Sequence, residues 1–322
     1  MKRRSPAARR AHGGLLASFL LVGVALLSGR ALGEARVGEA RAVASVAVTV
    51  GDVERSLAFF TDVLAFEQVG EVQARGPTYE ARWGIAGVRA RVARLRLGHE
   101  HVELIEFAEP KGRPVPGDSR SHDRWFQHLA IVVSDMTIAH ARLLAHGVRA
   151  VSETPQVLPP SNVAAAGITA FYFHDPDGHT LELIQYPPGK GDPRWQDAMG
   201  RLFLGIDHTA IAVADTDASV AFYCDRFGLA VAGESLNEGV EQERLTAVPG
   251  ARVRITTLRT PAGPPGIELL EYQAPRTGRR LPSVPAVSDL VHWHVTLAVA
   301  GATPSTLIHD PDGHAIEVVR PD

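Results

Sequence analysis

The chain has 322 residues, of which 45% are hydrophobic and 21% are charged, and its formal net charge at pH 7 is −3. These values are typical of a globular protein of about two domains, and they exclude a mainly disordered chain, a collagen or a protein with many membrane spans. The balanced charge offers no basic field to nucleic acid, and the single cysteine, Cys224, excludes an intrachain disulfide framework and a cysteine-rich zinc site.

The first 33 residues have the pattern of an export signal. Five basic residues lie among the first ten, and an apolar run follows from Gly14 to Leu27. That run is shorter than the ~20 residues that span a bilayer, and Ala31 and Gly33 are spaced for cleavage before Glu34. We therefore predict that residues 1–33 are a signal peptide and that the mature protein is periplasmic or secreted, with no stable membrane association. An uncleaved N-terminal anchor is the alternative.

Three later segments, beginning at Val43, Phe126 and Gly205, repeat one pattern. Each opens with alternating apolar residues, which predict a half-buried strand. An aspartate then follows a small residue, a combination that is typical of a helix N-cap. Apolar residues at helical spacing come next, as in the run from Val53 to Leu64. Each unit is therefore predicted to begin with a strand and a helix.

A second recurring piece closes each unit with a strand that carries a glutamate. The four glutamates in this position are Glu103, Glu182, Glu268 and Glu317. Two of these strands follow the same sequence, HDPDGH, at 174–179 and 309–314. Proline and glycine at these places are typical of a tight turn, and we expect the flanking histidines to be solvated. The fourth unit, from about Asp289 to Arg320, is too short to contain a helix.

These motifs together resemble one known superfamily. They read QHLAIVVSD at 127–135, FYFHDPDGHTLELI at 171–184, DHTAIAVAD at 207–215 and VAFY at 220–223. The pattern resembles the vicinal oxygen chelate superfamily, which includes glyoxalase I, extradiol dioxygenases, and fosfomycin and bleomycin resistance proteins. With DLVHWH near the C-terminus, the arrangement is similar to a bacterial group with four modules and an export signal.

The resemblance implies an α+β fold of tandem βαβββ modules that pair into two cupped mixed sheets, with the last module truncated. Consecutive modules are expected to pair, which gives one glyoxalase-like domain over 43–190 and a second over 205–322. The linker between them is predicted to begin at PPGKG, residues 187–191. The convex face of the shortened module is expected to be covered by the linker or by another chain, and the latter would make the protein a homodimer.

The resemblance also implies metal ligands, namely a histidine on the first strand and a glutamate on the last strand of each module. The first cup would then offer one histidine and two carboxylates, with Ser45 where a histidine is usual: Glu103, His128 and Glu182. The second cup would offer a full set, with His292 as a substitute for its second histidine: His208, Glu268, His294 and Glu317. Imidazole and carboxylate ligands suit a divalent Fe, Mn, Ni or Zn ion.

Three functions compete for such a protein. The first is a metal-dependent lyase or isomerase of glyoxalase type that acts on a small oxygenated substrate, with Glu182 or Glu317 as the catalytic proton carrier. The second is a non-catalytic binding protein of the resistance type, which Ser45 and the truncated module favour. The third, an extradiol-type dioxygenase, lacks the expected histidine before Phe171. Arg254 and Arg259 are candidates for an anionic substrate or for a solvated strand face.

Overall fold

The computed structural model describes residues 36–281, 283–302 and 307–321, so the predicted signal peptide lies outside the described residues. Each of the first three modules contains four strands, and the fourth contains three. The strands of modules one and two are β1 Ala40–Thr49, β2 Glu67–Arg75, β3 Arg89–Leu97, β4 Glu100–Glu109, β5 Gln127–Val133, β6 Gln156–Val157, β7 Thr169–His174 and β8 Thr180–Gln185. Those of modules three and four are β9 Phe203–Val213, β10 Ala230–Glu238, β11 Arg252–Thr260, β12 Gly263–Ala274, β13 Trp293–Val299, β14 Ile308–His309 and β15 Ala315–Val319.

Five α-helices accompany these strands in the described part of the chain. They are α1 Val53–Ala58, which continues as a π-helical turn at Phe59–Val63, α2 Pro77–Trp83, α3 Met136–Ala145, α4 Thr216–Phe227 and α5 Val240–Thr246. A 3₁₀ turn lies at Pro193–Gln196. None of the described helices is long and apolar enough to cross a membrane.

The predicted helix N-caps are confirmed in all three complete modules. Asp52, Asp135 and Asp215 each have extended backbone angles and accept a hydrogen bond from the backbone N–H three residues later, at 3.0, 2.9 and 3.1 Å. Each carboxylate thereby satisfies one of the N–H groups that the first helical turn leaves without a partner. The aspartate after each first strand therefore ends that strand and starts the helix.

Two mixed sheets hold the four modules, and they pair the modules differently from the sequence expectation. One sheet has the order β14-β15-β13-β1-β4-β3-β2 and so joins modules one and four. The other has the order β10-β11-β12-β9-β5-β8-β7-β6 and joins modules two and three. The expected cups over 43–190 and 205–322 are therefore wrong, although the predicted α+β class and the two cupped mixed sheets are confirmed.

The physical reason for this error lies in the linkers. Residues 110–126, 186–202 and 275–292 connect consecutive modules, and each stretch is long enough at about 3.3 Å per residue to reach either sheet. Strand periodicity identifies a module, but it carries no information about which module supplies the neighbouring strand. Which modules share a sheet is set by the antiparallel pairs at the two sheet centres, β1 with β13 and β5 with β9.

Side chains alternate across the strands as predicted. Leu129, Ile131 and Val133 of β5 belong to the large apolar core that includes residues of α1, α3 and α4 and of both sheets. Ala130 and Val132 lie on the other face, in a separate cluster with Trp195 and Leu204. All described residues fall in one compact unit, which follows from a core that the convex faces of both sheets share.

The shortened fourth module is covered within this unit. Val295 and Leu297 of β13 and Ile316 of β15 are buried in the shared core, together with Phe227 of α4. The hydroxyl of Tyr223, also on α4, donates to Asp310 at 3.2 Å. The helix of module three thus packs on the described part of module four, which contains no helix of its own. We expected the linker or another chain to cover this face, and in the described residues α4 does so instead.

The two HDPDGH turns link the sheets to each other. In the first, Asp177 accepts from the backbone N–H of Gly51 at 3.0 Å and contacts Arg55, both in module one. His179 is buried. Its Nδ1 lies 2.7 Å from Asp175 Oδ2, and its Nε2 lies 2.6 Å from the carbonyl oxygen of Leu290. The second turn reaches module three in the same way.

In that second turn, Asp312 accepts from the backbone N–H of Ala214 at 2.7 Å, and the buried His314 places Nε2 2.9 Å from the carbonyl oxygen of Ala212. The glycine corners have the expected left-handed conformation, with φ of 94° at Gly178 and 98° at Gly313. The expectation of solvated histidines is therefore wrong for His179 and His314, because their rings bridge the two sheets.

Candidate functional site

Four ligand-type side chains converge in the sheet of modules two and three, which we call the two–three cup: His128, Glu182, His208 and Glu268. They lie on the four central strands β5, β8, β9 and β12. Ala130 pairs across the strands with both Glu182 and His208, and Ala210 pairs with both His128 and Glu268. Paired residues share a sheet face, so two alanines form a floor that leaves space among the four donors.

The donor atoms of this cup lie close together. His128 Nε2 is 3.0 Å from Glu182 Oε2, and His208 Nε2 is 3.4 Å from the same oxygen. The two imidazole Nε2 atoms are 3.4 Å apart, and Glu268 Oε2 is 3.4 Å from His208 Nε2. His128, Glu182 and His208 form a fully buried group whose ligand atoms all lie within 4.8 Å of one another. The sequence prediction named all four residues but divided them between two cups.

Strong electrostatic coupling marks the cup. Burial favours the neutral form of Glu182, but hydrogen bonds from His128 and His208 outweigh it and lower the pKa of Glu182 to about 2. Burial also disfavours the imidazolium of His208, yet the carboxylates of Glu268, Asp207 and Glu182 raise its pKa to about 10. A buried cluster with this much negative charge favours a cation at its centre.

Asp207 orients His208 from behind. Its carboxylate lies 3.0 Å from His208 Nδ1 and accepts from Trp195 Nε1 at 3.0 Å. Arg259 donates to the same carboxylate at 3.0 and 3.1 Å. A carboxylate on Nδ1 fixes the tautomer in which Nε2 presents its lone pair to a metal. Burial opposes ionisation of Asp207, but His208 and Arg259 hold its pKa well below the usual range.

Sequence reasoning missed Asp207, although this charged residue stands directly before a predicted ligand, inside a strand of mostly apolar residues. It also left Arg259 open as a substrate anchor, whereas the structure pairs that guanidinium with Asp207. Arg254, the other candidate, is partly exposed and pairs with Asp217 of α4 and Glu234 of β10. Arg254 is therefore a partly exposed ion-pair partner and does not line the cavity above the cup.

A cavity of about 340 Å³ opens above the cup and is lined by three of its four donors. Glu182, His208 and Glu268 line it, together with Tyr172, whose ring centroid is 4.8 Å from that of His128. Thr257 also lines it and donates its hydroxyl to Glu268 Oε1 at 2.8 Å. The Glu268 side chain is 17% exposed and that of Glu182 is 7% exposed, so Glu268 is the more accessible carboxylate.

The donor set of the two–three cup fits a divalent transition metal. Two imidazoles and two carboxylates match the ligand types of Fe, Mn, Ni and Zn sites. The charge also fits, because Arg259 balances Asp207. Within the described part of the chain, the basic side chains that contact the carboxylates of Glu182 and Glu268 are the two histidines. His128, Glu182, His208 and Glu268 would hold such an ion.

The sheet of modules one and four contains the matching positions, and we call them the one–four cup: Ser45, Glu103, His294 and Glu317. Ala47 pairs with both Glu103 and His294, and Thr296 pairs with both Ser45 and Glu317. Modules one and three occupy matching places in the two sheets, as do modules four and two, so Ser45 is the counterpart of His208 and His294, rather than His292, is the counterpart of His128. The predicted residues Glu103, His294 and Glu317 therefore lie together, but away from the donors with which they were expected to share a cup.

Two arginines occupy this second cup. Arg82 donates from Nη2 to Glu317 Oε2 at 2.5 Å, and the same nitrogen lies 3.6 Å from Glu103 Oε2. Arg94 Nε donates to Glu103 Oε1 at 2.9 Å. Burial favours the neutral form of Glu317, but His294 and Arg82 lower its pKa to about 2. Glu317 is thus engaged by a guanidinium, which removes it from the set that was expected to act with His208.

Sequence and structure comparisons agree with this geometry. The chain matches the profile of the Glyoxalase/Bleomycin resistance protein/Dioxygenase superfamily over residues 42–183 and 205–318. It is 36% identical over 154 residues to a protein named 2-epi-5-epi-valiolone epimerase from Actinomyces sp, a match that covers 46% of this chain and 81% of that protein. It is 33% identical over 141 residues to the uncharacterized protein YaeR of Escherichia coli K12, covering 44% of this chain and 92% of the relative.

Solved structures extend the likeness to the whole fold. Glyoxalase I from Zea mays is 15% identical and superposes with a TM-score of 0.57, covering 87% of this chain and 92% of the maize chain. A putative dioxygenase from Bacillus subtilis is 12% identical with a TM-score of 0.51, covering 87% and 85%. Family profile, relatives and fold concur, and the chain belongs to the glyoxalase, bleomycin resistance protein and dioxygenase superfamily.

Proposed function

We propose that the protein is a metal-dependent isomerase or lyase of glyoxalase type, with its active site in the two–three cup. The observation that carries the proposal is the complete set of two histidines and two glutamates around a floor of two alanines. A relative whose name is that of an epimerase supports the isomerase class. We propose a small polyhydroxylated carbonyl compound as the substrate, because the cavity combines polar donors with a volume of about 340 Å³.

A divalent ion held by the four donors would act as a Lewis acid on substrate oxygens and so acidify the neighbouring C–H bond. The chain's own residues would bind and orient the substrate and move the proton. Glu268 is the best-placed base, because its side chain is the more exposed of the two carboxylates and Thr257 holds only one of its oxygens. Tyr172 and the apolar wall above it would restrict water around the reacting carbon.

Glu182 is less suited to the proton-carrier role that the sequence suggested. Both histidines hydrogen bond to it and lower its pKa to about 2, so in this arrangement it is a weak base. A strongly held carboxylate is instead a good ligand. We therefore propose that Glu182 anchors the ion and that Glu268 exchanges protons with the substrate.

The experiment measures proton exchange directly. The purified protein is stripped with a chelator and reloaded separately with Fe²⁺, Mn²⁺, Ni²⁺ and Zn²⁺, then incubated in D₂O with 2-epi-5-epi-valiolone or with the hemithioacetal of methylglyoxal and glutathione. NMR follows deuterium uptake at the carbon next to the carbonyl. We expect metal-dependent exchange with at least one of the two compounds.

The Glu268→Gln variant separates catalysis from metal binding. Loss of a general base typically costs 10²- to 10⁴-fold in rate, while the amide oxygen at position 268 keeps a neutral ligand in place. We expect the exchange rate to fall by about that factor with the metal content largely retained. Glu238→Gln, at an exposed residue of β10, is the control. Absence of exchange in every loaded form would contradict the proposal and favour the binding-protein alternative.

A further inference from the structure

The one–four cup keeps the backbone of a metal site but differs from the two–three cup at several side chains. Its cross-strand register is the same, with Ser45 in the place of His208. A cavity of about 850 Å³ opens above it, lined by Ser45, Glu103 and Glu317 and by the arginines at 82 and 94. The cup is therefore open, and the two arginines distinguish its chemistry.

The internal repeat shows what each arginine replaces. Helices α2 and α5 both have seven residues, and both begin after a glycine N-cap with positive φ, Gly76 and Gly239. Counting from those glycines places Arg82 at the position of Leu245 in α5. On the neighbouring strands, Arg94 pairs with Glu103 just as Thr257 pairs with Glu268. An apolar and a neutral polar side chain in one cup thus correspond to two cations in the other.

Arg82 is held in the cup by several contacts. Nε and Nη2 contact the two oxygens of Glu317, and Nη2 also faces Glu103 at 3.6 Å. Its guanidinium carbon lies 5.5 Å from the centroid of Trp83 and 6.0 Å from that of Tyr79, so aromatic rings back it. The Arg82 side chain is 21% exposed and Glu317 is 5% exposed, which limits screening of the pair by water.

The balance of charge in the one–four cup also disfavours a bound divalent ion. In the one–four cup the two carboxylates face two guanidiniums, so the negative charge that attracts a divalent ion is already balanced. An entering ion would have to displace Arg82 and leave that guanidinium without its carboxylate partner, which is costly at a partly buried site. It would also find a serine hydroxyl, a weak neutral donor, where the other cup offers an imidazole.

We propose that Arg82 is a built-in replacement for the metal ion, so that the one–four cup is a latent metal site that binds no divalent ion while this arginine is present. The protein then carries one ion per chain, in the two–three cup alone. The proposal concerns a site outside the proposed active site and does not depend on which substrate that active site accepts.

Metal stoichiometry tests the proposal in the full-length protein. Chelator-stripped protein is loaded with excess Mn²⁺ or, separately, Zn²⁺, desalted, and analysed for ions per chain by mass spectrometry. We expect about one ion in the wild type and almost none in His208→Ala, because only the two–three cup is competent. Two ions in the wild type with one retained in His208→Ala would overturn the proposal, and this comparison needs no change in the one–four cup.

A second set of variants unmasks the latent site. Arg82→Leu combined with Ser45→His installs the residues that the two–three cup has at the equivalent positions, and we expect about two ions per chain. Adding His208→Ala should return the count to about one, now held by the one–four cup. Arg82→Lys keeps a cation and should stay at one ion. A folded double variant, verified by near-ultraviolet circular dichroism, that stays at one ion would also overturn the proposal.

Discussion

The two cups of this protein share a backbone and differ in how they balance buried negative charge. Each places two glutamates on the last strands of its modules, at matching register beside the central antiparallel pair. In the two–three cup those carboxylates face His128 and His208, whereas in the one–four cup they face Arg82 and Arg94. The same sheet geometry therefore buries two carboxylates whose charge can be balanced either by a bound metal ion or by arginine side chains of the chain itself.

We infer from this difference that a few side chains, rather than the fold, decide whether a cup of this kind binds metal. The floor residues are Ala130 and Ala210 in one cup and Ala47 and Thr296 in the other. All four are buried, and a cavity opens above each floor, so space is available in both cups. The cups differ because Arg82 extends from helix α2 to the carboxylates of the one–four cup, and because position 45 offers a serine hydroxyl where the other cup has an imidazole. Exchanging these features between the cups should exchange their metal binding.

The largest effect is expected when one imidazole of the two–three cup is replaced by serine, the residue type that the one–four cup has at position 45. His128→Ser removes an imidazole that lies 3.0 Å from Glu182 Oε2. Loss of a partner that merely orients a ligand costs 10- to 100-fold in metal affinity, and we expect loss of a direct ligand to exceed about 100-fold. Competition with a fluorescent chelator measures this. Ser45→Ala in the other cup should change nothing, and unchanged affinity in His128→Ser would contradict the assignment of the ligands.

The second exchange introduces the internal cation. Leu245→Arg places a guanidinium at the α5 position that corresponds to Arg82, beside a cup that keeps all four donors. We expect metal affinity to fall by about 10-fold or more, since each 1.4 kcal/mol of competing charge interaction is a factor of ten. Leu245→Met preserves the apolar volume and is the matched control. Equal affinity in the arginine and methionine variants would show that charge at this position does not govern the cup.

A smaller effect is expected from the residue that orients His208. Asp207→Asn keeps a hydrogen-bond acceptor near Nδ1 but removes the negative charge, and such partners typically contribute 10- to 100-fold in metal affinity. Isothermal titration of the stripped protein should show a loss within about that range. The one–four cup has no equivalent device, because Ser45 stands in the place of His208 and Ala44, in the place of Asp207, has no carboxylate. A wild-type affinity in Asp207→Asn would show that packing alone orients the ring.

Much of the fold could be predicted from the sequence. Alternating apolar residues located the first strands, the aspartates at 52, 135 and 215 located the helix starts, and the repeated glutamates located the last strands. These features are local, because a strand face or an N-cap depends on residues only a few positions apart. The pairing of module one with module four could not be predicted in this way, since it depends on packing between segments that are far apart in the chain.

The candidate site was predictable in its residue types and not in its grouping. His128, Glu182, His208 and Glu268 were all named, yet they were assigned to separate cups because chain order was taken as sheet order. Arg82 was missed for a different reason. It lies on α2, a short helix that the repeat pattern did not reveal, and only the folded chain brings its guanidinium to Glu317.

The last and smallest effect is a pH dependence that only the empty two–three cup should show at alkaline pH. The carboxylates around His208 raise its pKa to about 10 in the metal-free protein, against about 6.5 for an unperturbed histidine. A raised pKa contributes stability that is fully present below about pH 6.5 and is lost as the pH rises through about 10. Loss of one proton corresponds to at most about 1.4 kcal/mol per pH unit.

Urea unfolding of the chelator-stripped protein between pH 7 and pH 9 should reveal this loss. The metal-loaded protein should show a flatter profile, because a bound ion replaces the proton on His208. The stripped His208→Gln variant provides the reference, since every other group titrates there as in the wild type. The acid side does not distinguish the cups. Glu182 and Glu317 both have pKa values near 2, and each contributes stability above about pH 4.5 that is lost as the pH falls toward 2. Parallel alkaline profiles for stripped wild type and His208→Gln would mean that the carboxylates do not hold a proton on this ring, and that the charge argument separating the two cups is wrong.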